Sequence, residues 1–81
     1  MSKDELIELV NSGREIEFVF DKKRFSITYG TIDNRELISF CEFYRPSTEV
    51  YSVDELLKVE RYGVTVETMM ASIDKNDIWI F

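Results

Sequence analysis

The 81-residue sequence predicts a single α+β domain over 1–81, with one four-stranded, mainly antiparallel sheet and all helices on one of its faces. Three observations carry this. Two capping boxes open short apolar stripes of helical spacing. Three successive segments between residues 15 and 44 alternate apolar and polar residues with period two. The wholly apolar run Ile78-Trp79-Ile80-Phe81 makes a further strand. The expected order is helix, three-stranded meander, two short helices, strand.

Ser2-Lys3-Asp4-Glu5 is the first capping box, with Met1 and Leu6 at the staple positions. Leu6, Ile7, Leu9 and Val10 share one face, and Gly13 is a natural left-handed stop. The reading is a helix over about residues 3–11. Residues 15–21 and 24–29 alternate next. A loop at Lys22-Lys23 pairs Phe20 with Phe25, Phe18 with Ile27 and Ile16 with Tyr29 on one face. Lys-Lys is a poor primed turn, which is the weak point of that register. Gly30 is taken as the end of the second strand. Asp33-Asn34 suits a tight turn, pairing Tyr29 with Ile38, Thr28 with Ser39, Ile27 with Phe40 and Ser26 with Cys41. Phe43 and Tyr44 continue the third strand until Arg45-Pro46-Ser47 stops it. Ser52 and Glu55 form a second capping box, with Tyr51 and Leu56 as its staple and Val53, Leu56 and Leu57 buried. Thr65 caps a third helix whose stripe is Val66, Met69, Met70 and Ile73. Asp74-Lys75-Asn76-Asp77 is a polar turn, and the last strand pairs with the first.

These segments bring a resemblance into view. Gly13-Arg14-Glu15-Ile16-Glu17-Phe18, Lys23-Arg24-Phe25-Ser26-Ile27, Phe40-Cys41-Glu42-Phe43-Tyr44, and Tyr51-Ser52 running into Glu55-Leu56-Leu57 resemble a group of short uncharacterised bacterial and prophage-encoded proteins. That group has no assigned activity. The resemblance implies an accessory or mobile-element protein and carries over no functional residue.

Composition narrows the function classes. The chain has 16 acidic and 10 basic residues, a net charge of −6, no His and one Cys. The missing His removes the commonest general base and metal ligand. Cys41 has acidic Glu42 beside it and no His to activate it, so it is read as structural. Glu15 and Glu17 share a strand face at acid/base spacing but are read as solvated charge near a sheet edge. Residues 74–77 lack calcium-loop spacing. No enzyme activity, cofactor, metal or small-molecule substrate is expected. No signal peptide or membrane span is evident, so a cytoplasmic place is expected.

One feature points to a partner. If Ile78 and Ile80 face the core, Trp79 and Phe81 face outward, together with Val19 and Phe43. Clustered, those four make an apolar patch on a polar sheet face, and such patches mark interfaces. The leading expectation is a non-enzymatic protein that binds another protein, or itself as a homodimer. One alternative is an acidic mimic of nucleic acid that blocks a nucleic-acid-binding protein. Another is RNA contact through a basic hairpin tip, Lys22-Lys23-Arg24, against which the net charge argues.

Overall fold

A computed structural model describes residues 1–81. Helix α1 spans Lys3–Asn11, and strands β1, β2 and β3 span Ile16–Phe20, Lys23–Ile32 and Arg35–Glu42. Strand β4 is Thr48–Val50, helix α2 is Val53–Lys58, and β5 and β6 are Glu60–Arg61 and Val64–Thr65. Helix α3 is Val66–Ser72, a 3-10 turn covers Lys75–Asp77, and β7 is Ile78–Ile80. The main sheet is antiparallel, in the order β4-β3-β2-β1-β7.

Both capping residues of α1 act as the sequence requires. Ser2 Oγ accepts from the Glu5 amide at 3.1 Å, and Glu5 Oε1 accepts from the Ser2 amide. At the other end Gly13 adopts φ +69°, so its amide reaches Val10 O and the Arg14 amide reaches Leu9 O. That pair of bonds closes the last carbonyls of the helix. Ser52 and Thr65 cap α2 and α3 by the same side-chain-to-amide bond.

The fold class agrees with the sequence, while several details are corrected. The sheet has five strands rather than four. Thr48–Val50 turns back and pairs with β3, Val50 opposite Ile38. The small β5–β6 hairpin was not foreseen either; Tyr62 and Gly63 turn it with φ +55° and +76°. Strand β2 does not end at Gly30 but runs to Ile32, and β3 stops at Glu42, because Tyr44 takes φ +66° and turns the chain. Tyr51 does not staple Leu56; it is exposed, with the Arg35 guanidinium 4.0 Å from its ring centroid.

The first hairpin keeps its faces but shifts its register by two. Phe18 lies opposite Phe25, Ile16 opposite Ile27, and Glu17 opposite Ser26. A shift of two leaves every side chain on its own face. The turn is Asp21-Lys22, with φ +50° and +64°, rather than Lys22-Lys23. Aspartate tolerates the left-handed region better than lysine does, so the loop slides back to include it. Lysine still bears a steric cost there. Lys22→Gly should therefore stabilise the domain by about 1 kcal/mol, raising Tm by about 4–8 °C in a calorimetric scan. An unchanged or lower Tm would count against this turn.

The second hairpin has the expected register throughout, from Ser26 opposite Cys41 to Tyr29 opposite Ile38. Asp33 and Asn34 both take positive φ. Ile16, Phe18, Phe25, Ile27, Ile38, Phe40 and Val50 from the sheet form one core with Leu6, Val10, Leu56, Leu57, Val66, Met69 and Met70 from the helices. All three helices thus cover the same face. The β5–β6 hairpin clasps the far end, where the Arg61 guanidinium bonds Thr48 Oγ1 and Tyr62 Oη donates to Glu42 Oε1 at 2.6 Å. No helix is long and apolar enough to cross a membrane.

Candidate interface on the outer sheet face

With every helix on the inner face, the outer face has no second layer. Strand alternation and register lay it out in rows. Phe43 donates its amide to Arg24 O at 2.9 Å, and Arg24 lies opposite Val19. In the next row Cys41, Ser26, Glu17 and Trp79 follow one another from β3 to β7. Beyond it come Ser39 and Thr28, then Glu15, which is bound to Phe81 by the Phe81 amide at 2.9 Å. The middle of the face is small and polar, and its β7 side is aromatic.

Val19, Phe43, Trp79 and Phe81 are all on this side of the sheet. Trp79 is 43% and Phe81 62% exposed, whereas Val19 and Phe43 are half-buried. Of the two isoleucines expected to face the core, Ile78 packs against it from the opposite side, whereas Ile80 is 41% exposed and does not join it. The group that joins the aromatics is Arg24. Its guanidinium carbon lies 4.9 Å from the Phe43 ring centroid and 5.8 Å from that of Trp79. Both distances are within the range of cation–π attraction. Phe43 and Phe81 also border one groove of about 320 Å³, with Ser26 and Thr28 between them and Glu15 and Glu17 alongside.

The sequence puts Arg24 at a basic hairpin tip and also on the outer strand face beside Asp21; in the structure it lies opposite Val19. Period-two parity was the available signal, since it puts Arg24 on the face of Phe43 rather than at a loop apex. The rest of that tip is partly compensated. Lys23 Nζ is 3.4 Å from Asp21 Oδ2 and 4.6 Å from the Tyr62 ring centroid.

Glu15 and Glu17 are not at the sheet edge, because β7 lies outside them. The ion pairs of the protein are Lys3–Glu67 and Lys23–Asp21, so neither carboxylate has a cation within 4.0 Å. Glu15 does act on its surroundings. Burial first, and then the Glu15 charge, hold the Tyr29 phenol above its ordinary value of 10.0. The Tyr62 phenol is also raised, chiefly by its hydrogen bond to Glu42.

Elsewhere the structure offers little reactive chemistry. Cys41 Sγ faces two carbonyl oxygens, Glu42 O at 3.0 Å and Arg45 O at 3.1 Å. No three His, Cys, Asp or Glu residues are grouped so that they could hold a metal ion. The largest cavity, about 610 Å³, is an open cleft between the end of α1, the β2–β3 hairpin and the start of α2. Its polar lining is Asn11, Ser12, Tyr29, Thr31, Glu36, Tyr51 and Ser52. Comparison with family models, with curated proteins and with solved structures finds no match to this chain.

Proposed function

We propose that this protein is a small non-enzymatic cytoplasmic binding module that docks another protein chain, or a second copy of itself, on the outer face of its sheet. Val19, Phe43, Trp79 and Phe81 are the contact residues, with Arg24 among them. The observation that supports this most is the Phe43–Arg24–Trp79 arrangement, which holds two aromatics and an arginine together on a face without helical cover. Trp and Arg are the residues that most often dominate interface energetics. Arg24 gains from the arrangement as well, because its planar guanidinium is only weakly hydrated and rests on ring faces at small cost. An acidic mimic of nucleic acid would need carboxylates in a row, whereas Ser26, Thr28, Ser39 and Cys41 occupy the middle of this face.

The test is capture from native cells with immobilised wild-type protein and with Trp79→Ser, read by mass spectrometry, alongside sedimentation of the free protein. The expected result is a partner, or a dimer, present with wild type and lost with a Trp79→Ser protein that melts normally. Equal capture by both proteins, with no self-association, would remove this reading.

A further inference from the structure

We infer that β7 is the receiving edge for an extended, lysine- or arginine-bearing strand of a partner protein, an inference that rests on the outer face being an interface. Phe81 donates its amide to Glu15 O, and Trp79 lies opposite Glu17. Antiparallel ladders alternate, so the backbone groups of Trp79 and Phe81 turn toward β1. Those of Ile78 and Ile80 then turn away from the sheet, where β7 has no further neighbour.

Apart from its shortness, three residues, this edge carries none of the usual protection. Exposed edges are ordinarily blunted by charge, proline or a bulge. The opposite edge, β4, carries Glu49 and follows Pro46. Ile78-Trp79-Ile80-Phe81 has no charge and no proline, and it pairs with β1 without a bulge. A free apolar edge of this kind accepts an added strand through main-chain bonds, with alternate side chains giving specificity.

Charge decides the partner. An added strand would set its outward side chains beside Trp79 and Phe81. It would lie two strand spacings, about 9.6 Å, from Glu17 and Glu15. A lysine or arginine there lies across the Trp79 ring and reaches carboxylates that have no cation of their own. Inward side chains of the same strand would enter a groove of about 320 Å³ between α1 and β7, lined by apolar Met1, Leu9 and Ile80 and by Glu5, Glu8 and Arg14, so that acids outnumber the one cation. The fitting segment therefore alternates apolar and basic residues. A second copy fits less well: its own β7 carries no cation, and each copy has a charge of −6.

The probe is an acetylated, amidated heptapeptide alternating lysine and valine, titrated while the fluorescence of Trp79, the single tryptophan, is followed. The expected result is a saturable shift that weakens as salt rises. Glu15→Gln combined with Glu17→Gln should weaken binding about tenfold, with the far-ultraviolet circular dichroism unchanged. A proline at the central valine, which removes a ladder donor, should abolish the shift. Equal binding of the matching glutamate–valine peptide would overturn the inference. So would a concentration-dependent dimer of the free protein that is lost when Ile80→Lys charges the edge. Because the peptide assay does not depend on cellular capture, its failure beside Trp79-dependent capture would end the strand inference alone. Loss of Trp79-dependent capture beside a positive peptide result would end only the broader reading.

Discussion

Phe18→Ala should destabilise the domain by about 3–5 kcal/mol, the largest effect expected of any single substitution in the sheet. Phe18 is fully buried in a three-ring cluster whose middle ring, on β2, is Phe25. Its centroid is 5.3 Å from that of Phe25 and 6.2 Å from that of Phe40, and Phe25 and Phe40 are 5.5 Å apart. Three neighbouring strands supply one ring each. Truncating Phe18 would leave a void in a close-packed core, where little collapse is available to fill it. A domain of this size has a net stability of only about 5–10 kcal/mol, and the loss would consume much of it. Urea denaturation read by circular dichroism measures the change. Val19→Ala, one residue along on the half-buried outer face, is the control and should cost under about 1 kcal/mol. A Phe18→Ala cost as small as that of the control would mean that the ring cluster does not hold the sheet.

The second large effect is the contrast between deleting residues 78–81 and changing Trp79 alone. Deletion removes Ile78, which packs on the core, and uncovers the edge of β1 that carries Ile16 and Phe18. The expected product is unfolded or aggregating, since β1 would become a long apolar edge. Trp79→Ser removes a ring that is 43% exposed, lies off the core and has Arg24 over it. A surface cation–π contact contributes about 0.5–1 kcal/mol, so this variant should remain folded with a Tm lowered by only a few degrees. Size-exclusion chromatography and a thermal scan distinguish the two. If Trp79→Ser unfolds the protein as the deletion does, Trp79 belongs to the core, and the interface loses its main anchor.

The limits of reading this chain follow from particular residues. The β2–β3 register was legible because Asp33-Asn34 specifies a turn and the flanking alternation agrees with it. The β1–β2 register was legible only to within a shift of two. Alternation has period two, so it specifies faces, and the final choice fell to the backbone preferences of Asp21 and Lys22. Thr48–Val50, Glu60–Arg61 and Val64–Thr65 have no readable pattern, because two or three residues cannot display a period. Their strand character comes from β3 offering an unpaired edge and from Tyr62-Gly63 reversing the chain.

The candidate interface divides in the same way. Local sequence determined the three helix starts, through Ser2, Ser52 and Thr65. It determined that Phe18 faces the core, but for β7 only that Trp79 lies opposite Ile78 and Ile80; which of these meets the core was left to the tertiary structure. Tertiary structure alone decided that Ile78 rather than Trp79 packs on the core, and that Phe43 and Trp79 both approach Arg24. Those juxtapositions depend on β7 closing against β1, a pairing of segments far apart in the chain. Its energy comes from burying Ile78 against the assembled core, and no window of neighbouring residues contains that term.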